Sequence, residues 1–262
     1  MRQNNKNRQQ LESELLPVFE QNGKQIPDED SCTKTEELRL VRDENGLYLT
    51  DGKLRVRGDF AELLPRIRQS NLERELLIRA AKPWTLGDFP LLLDATAGMG
   101  EDSFLLAAAG FRVILYEYDP VIAALLQDAL LRAGQDPRLE MIAKRMTLRM
   151  TDSVAAMREW KEETPAVILL DPMFPERSKS GRIGKKFQLL QQLERPCSEE
   201  KELLEAALDV CPVRIMIKRP LKGPWLNGLR PDYSISGKAI RYDCLINIAA
   251  RKERYQTSEK RF

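Results

Sequence analysis

Three short stretches of this chain carry side chains able to do chemistry. The first is Asp94-Ala-Thr-Ala-Gly98-Met-Gly100, running on into Glu101, Asp102 and Ser103. Glycines in such a turn let a ligand approach the backbone, and a helix beginning there offers unpaired N–H groups. Dinucleotide-binding turns use those groups for a pyrophosphate and read G-x-G-x-x-G. Here the turn reads GMGEDS, the third glycine is missing, and Glu101 and Asp102 stand where phosphates would sit. Acids repel phosphate and favour a cationic, hydroxyl-rich ligand. S-adenosylmethionine, with its sulfonium, its ammonium and its ribose diol, has that character. Glu117 closes the next apolar run, where an acid can accept from ribose hydroxyls, as it can in NAD sites too. Asp152-Ser153 is a further candidate, either for adenine contacts or as a helix cap.

The second stretch is Leu169-Leu170-Asp171-Pro172-Met173-Phe174-Pro175. Asp171 interrupts an apolar run and so lies at its mouth, Pro172 stiffens the backbone, and Phe174 supplies a ring. That set suits a planar exocyclic amine, such as guanine N2 or adenine N6. Its lone pair is delocalised, so catalysis is mainly a matter of aiming it. A carboxylate and a carbonyl accept its hydrogens and an aromatic ring stacks on the base. The third stretch is basic. Arg177, Lys179, Arg182, Lys185 and Lys186 stand against one acid, Glu176, and Lys218-Arg219 follows a later apolar run. Both segments are candidates for RNA phosphate contacts. Taken singly, each stretch also has a plain structural reading: a βα connection, a proline turn, a solvated loop.

The elements that must position these residues are legible from periodicity. From 36 to 60, apolar and polar residues alternate and are punctuated by Asn45-Gly46 and Asp51-Gly52, which predicts a small antiparallel unit. Residues 61–81 predict a helix with Leu72, Leu76, Leu77 and Ala80 on one face. Beyond residue 90 the pattern becomes strand, turn, helix. Strands are expected at 91–93, 112–116, within 139–150, at 166–170 and 213–217, with a closing segment in 233–250. Asp119-Pro120 reads as a helix cap followed by a first-turn proline, and a further helix is expected over 198–209. The fold class is therefore α/β, a doubly wound, mostly parallel sheet with a small N-terminal α+β subdomain. The expected divisions are a polar extension at 1–35, the subdomain at 36–85, the main domain at 86–250 and a basic tail at 251–262.

Composition narrows the chemistry. The chain of 262 residues contains no histidine, so imidazole-based nucleophilic catalysis and histidine-liganded metal sites are excluded. Lys+Arg 42 against Asp+Glu 40 shows no global basic excess. Cys32, Cys197, Cys211 and Cys244 form no C-x-x-C pair, and no metal is expected. A polar N-terminus and the lack of long apolar runs predict a cytoplasmic protein with no membrane association.

DATAGMGEDSF, LYEYDPVIAALL, LLDPMFPERSKS, IMIKRP and GKAIRYD together resemble the ribosomal RNA small subunit methyltransferase J family over about residues 36–250. The resemblance implies a Rossmann-like class I fold, S-adenosyl-L-methionine as cofactor, and guanine-N2 methylation of small-subunit (16S) rRNA. The partner would be that RNA or the 30S subunit, with a monomer favoured. It implies donor contacts at Glu101, Asp102, Glu117, Tyr118, Asp152, Ser153 and Asp171, alongside Asp94, Gly98 and Gly100 from the turn itself. Asp171, Pro172 and Phe174 are then the catalytic set. The chain departs from the family's pattern at RQSNLERELLIRAAK, at Tyr118 and at Ile240-Arg241, as a diverged branch would. The competing readings are methylation of another exocyclic amine such as adenine N6, an RNA-binding module without catalysis, and, least favoured, a dinucleotide oxidoreductase.

Overall fold

Val167–Leu170 is apolar at every position because helices cover both of its faces. The computed structural model of the protein describes residues 38–81, 88–172, 200–246 and 248–249. Along the chain these form β1 (Arg39–Asp43), β2 (Gly46–Thr50), β3 (Arg55–Val56), α1 (Gln69–Leu72), α2 (Leu76–Ala81), β4 (Leu91–Asp94), α3 (Glu101–Ala108), β5 (Arg112–Tyr116), α4 (Pro120–Ala133), α5 (Glu140–Ala143), β6 (Met146–Arg149), α6 (Ser153–Arg158), β7 (Val167–Leu170), α7 (Glu200–Asp209), β8 (Arg214–Pro220), β9 (Tyr233–Ser236) and β10 (Ile240–Ile246).

The large sheet has the order β6-β5-β4-β7-β8-β10-β9. The strands β6, β5, β4, β7 and β8 run parallel, and β10 is antiparallel to both β8 and β9. This is the doubly wound α/β arrangement expected from the strand–helix alternation. Strand side chains alternate between faces with period two. Leu92, Leu115, Leu169 and Met216 therefore enter one core with Phe104 of α3, while Leu93, Ile114, Leu170 and Ile217 enter the other with Leu203, Leu204 and Ala207 of α7.

The antiparallel unit forms as expected, with the order β1-β2-β3. It docks on α4, where Leu40, Leu47, Leu49 and Val56 meet Val121, Ile122 and Leu125. The opposite side of α4 presents Leu126, Ala129 and Ala133 to the main sheet. A helix apolar nearly all round is what such a sandwiched position requires. Asp119 caps α4 by accepting from Val121 N at 2.9 Å and Ile122 N at 3.1 Å, with Pro120 in the first turn. Among the described residues, no helix is long and apolar enough to cross a membrane.

One buried charge ties the small sheet down. Asp128 of α4 is 3% exposed and accepts from Arg42 at 2.9 Å, from Leu47 N at 3.1 Å and from Arg132 Nε at 2.8 Å. Arg132 also donates to Gly58 O.

The single helix expected over 61–81 is three pieces instead: a 3₁₀ turn at Phe60–Leu63, then α1, then α2. Pro65 explains the first of the two breaks, since it has no N–H to donate and its ring crowds the preceding turn. Asn71 Nδ2 donates to the Pro65 carbonyl at 2.8 Å. The last two carbonyls of α2, Ala80 O and Ala81 O, accept from buried Arg214 of β8.

Candidate active site

Period-two alternation brings the site together. Asp94 lies two residues beyond Leu92, Glu117 two beyond Leu115, Asp171 two beyond Leu169 and Lys218 two beyond Met216. All four side chains therefore leave the α3 side of the sheet. Each stands at or near the carboxyl end of its strand, β4, β5, β7 and β8 respectively. β4 and β7 are neighbours, and the chain winds away from β4 in both directions. The crevice between them is the switch point where open α/β sheets bind ligands.

The glycine turn is braced from both sides. Ala95 N donates to Leu169 O at 3.0 Å and Ala97 N to Tyr116 O at 3.0 Å, which locks the turn to β7 and β5. Gly98 N donates to Glu117 Oε2 at 2.9 Å, and Asp119 N donates to Glu117 Oε1 at 2.8 Å. Burial pushes the Glu117 carboxyl up, against the backbone donors that hold it anionic. Asp94 is 2% exposed and accepts from Ser103 Oγ at 2.6 Å and Thr96 N at 3.1 Å. Burial pushes its carboxyl up to about 7. Asp94 therefore organises the turn from beneath.

The two glycines differ in purpose. Gly100 has φ +73, and a Cβ there would lie 2.6 Å from Leu126 Cδ1. Gly98 has φ +54, and a Cβ there would meet nothing within 4 Å. Gly100 thus serves α3–α4 packing, while Gly98 borders open space beside Glu117. Gly100→Ala is expected to cost about 1–3 kcal/mol through overpacking, read as a lower Tm. Gly98→Ala is expected to cost about 1 kcal/mol of left-handed strain and, if the open space beside it holds the donor, to weaken donor binding more than stability. Equal Tm losses with unchanged donor affinity would contradict this division.

Asp171 is anchored at the mouth of β7. Its backbone N donates to Thr96 Oγ1 at 2.7 Å, and buried Pro172 follows. Lys218 Nζ lies 2.9 Å from Asp171 Oδ2 and 2.8 Å from Asp102 Oδ2 of α3. The acids expected to favour a cationic ligand are therefore partly neutralised from within. Asp152 caps α6, accepting from Val154 N at 3.0 Å and Ala155 N at 3.4 Å, with buried Ser153 behind it. Glu101 and Tyr118 lie at the surface, Tyr118 57% exposed.

The expectation for Lys218 and Arg219 needs correction. Lys218 faces acids of the site rather than a rim. Arg219, one residue on, points to the opposite face of the sheet. Its side chain is 0% exposed, 3.5 Å from Glu200 of α7, and its Nε donates to Pro224 O at 2.8 Å. A fully covered guanidinium is not placed to meet an RNA phosphate. Phe174, Arg177, Lys179, Arg182, Lys185 and Lys186 lie outside the described residues. The sequence reading missed Thr96, Ser103 and the bridging part of Lys218. Counting in twos from Met216 gives the face of β8 on which Lys218 lies, but not the acids it meets there.

These residues fit S-adenosylmethionine. The open space at Gly98 adjoins a carboxylate already oriented by two backbone N–H groups, with acceptor capacity left for hydroxyls. Acidic oxygens of Asp102 and Asp171 stand nearby for cationic groups. If Glu117 holds the donor, Glu117→Ala is expected to weaken its binding by about tenfold to a hundredfold, since the turn loses its brace and the diol its acceptor. Calorimetry reads this directly, and affinity unchanged within twofold would remove Glu117 from the site.

Residues 29–247 match the profile of the family described as "Putative SAM-dependent methyltransferase". A ribosomal RNA small subunit methyltransferase J of Pseudomonas aeruginosa is 47% identical over 154 residues, covering 59% of this chain and 59% of that protein. Its namesake from Stutzerimonas stutzeri is 45% identical over 154 residues, covering 59% of this chain and 60% of its own length. The chain thus spans about 59% of the length of the Pseudomonas relative. The crystal structure of a SAM-dependent methyltransferase from Neisseria gonorrhoeae superposes with a TM-score of 0.66 at 28% identity, covering 82% of this chain and 85% of that one. With its acid-lined glycine turn at the switch point of a class I sheet, the chain belongs to the SAM-dependent methyltransferase family.

Proposed function

We propose that this protein transfers a methyl group from S-adenosylmethionine to the exocyclic N2 of a guanine in small-subunit (16S) ribosomal RNA. The observation that carries the reading is Asp171, anchored through Thr96 beside the glycine turn and followed by a buried proline. The names of the relatives from Pseudomonas and Stutzerimonas point to the same class of acceptor.

When bound, the donor supplies an electrophilic methyl on a sulfonium. The chain's own part is positional. Glu117 and the Gly98 turn hold the ribose end, with Asp152, Ser153 and Tyr118 toward the adenine, and Asp102 lies toward the charged end. One oxygen of Asp171 is engaged by Lys218, and the carboxylate retains lone pairs for an amine hydrogen. Accepting that hydrogen turns the nitrogen toward the methyl group, and holding reactants in line is worth several powers of ten in rate. Phe174 is proposed to stack on the base. Arg177, Lys179, Arg182, Lys185 and Lys186 are proposed to meet RNA phosphates.

Nucleoside mass analysis of small-subunit RNA from cells with and without the gene tests the reading. Loss of one N2-methylguanosine is the expected result. Loss of N6-methyladenosine instead would keep the enzyme and change the acceptor. An unchanged nucleoside profile would end the RNA reading.

A further inference from the structure

Lys218 touches neither donor nor acceptor in the proposed function, which uses it only as a partner of Asp171. Its ammonium lies 2.8 Å from Asp102 and 2.9 Å from Asp171, so one cation joins an acid on α3 to the acid that ends β7. We propose that Lys218 is a positioning residue for methyl transfer, holding the Asp171 carboxylate anionic and fixed in direction by bridging it to Asp102. The inference rests on the methyl-transfer reading given above.

The charges facing Asp171 make the bridge necessary. Asp102 of α3 and Asp94 of β4 lie on its acidic side, Lys218 of β8 opposes them directly, and Arg219 adds a weaker positive influence from the other face of the sheet. Tyr242 of β10 pairs with Lys218 in the strand register and is itself buried. Burial pushes the Asp171 carboxyl up and Lys218 draws it back. Without the ammonium, two neighbouring carboxylates share a partly desolvated pocket with no cation between them, and the Asp171 carboxyl is pushed further up. A protonated Asp171 has lost its charge and part of its capacity to accept, so the amine hydrogen has a weaker partner. The same two acids hold Lys218 protonated well beyond neutrality. It is therefore an anchor and not a general base for the departing amine proton.

The test is a carbon-13 NMR titration of the carboxyl groups in the full-length protein, without donor or RNA. Asp171 is identified by the resonance missing from Asp171→Asn. Lys218→Met is expected to raise the Asp171 midpoint by about one pH unit or more, and Lys218→Arg to return it close to wild type. Asp102→Asn is expected to lower the midpoint, because it removes the competing acid and leaves the ammonium to Asp171 alone. The acid limb of the kcat profile should move with these midpoints: to higher pH in Lys218→Met, so that activity is lost first on the acid side. An Asp171 midpoint unchanged in Lys218→Met would overturn the proposal. So would a midpoint that moves in the same direction in Lys218→Met and Asp102→Asn. Should Lys218→Met not fold, Lys218→Arg and Asp102→Asn still decide it, since a midpoint that Asp102→Asn fails to lower overturns it. Nucleosides unchanged by gene deletion, together with the expected midpoints, would leave the electrostatic assignment standing and the acceptor wrong.

Discussion

If the proposed function holds, Asp171→Asn is expected to lower the single-turnover rate of methyl transfer to small-subunit RNA by about 10²–10³-fold. Asparagine keeps the shape and one acceptor oxygen, but it cannot carry the charge that pairs with Lys218 at 2.9 Å. The lost interaction is one that strengthens as the amine nitrogen becomes positive, so the loss falls on kcat more than on binding. Donor affinity by calorimetry is expected to change by less than about tenfold, because Glu117 and the glycine turn are untouched. The main chain is also untouched, since its tie to Thr96 runs through the Asp171 N–H. A rate within threefold of wild type would remove Asp171 from the chemistry. A rate loss accompanied by a collapse in Tm would make its role structural.

The second large effect concerns stability. Asp128→Ala is expected to destabilise the protein by about 3 kcal/mol or more, because removing one partner of a buried ion cluster strands the others. Arg42 and Arg132, each 27% exposed, would lose their shared carboxylate, and the buried Leu47 N its acceptor. For a chain of this size that corresponds to a fall in Tm of roughly 6–12 °C. Asp128→Asn should fall between the two, since it keeps an acceptor for Leu47 N and loses the charge. A Tm shift under about 2 °C for the alanine variant would show that the β1–β3 sheet does not depend on this anchor.

The order of elements was readable because its signals are local. Apolar runs bounded by turns predict strands, and Asp119-Pro120 predicts the start of α4 from the chemistry of unpaired N–H groups alone. The same is true of the Asn45-Gly46 hairpin and of the acids Asp94, Glu117 and Asp171, each of which interrupts or ends an apolar run. The break at Pro65 was also written in the text of the chain, but the spacing of Leu72, Leu76, Leu77 and Ala80 after it outweighed it.

What the sequence by itself determined is a set of acids at strand ends, a glycine turn unsuited to phosphate and a chain without imidazole. These are properties of residue types and near neighbours. Only the tertiary structure decided which charges meet. Lys218 and Arg219 are adjacent in sequence and both basic, yet successive strand residues point to opposite faces. One therefore bridges Asp102 and Asp171 while the other is sealed under α7. The strand order sets β8 beside β7 and carries Lys218 to an acid on a distant helix. No local pattern encodes that neighbour, because it arises from winding the sheet in both directions from β4.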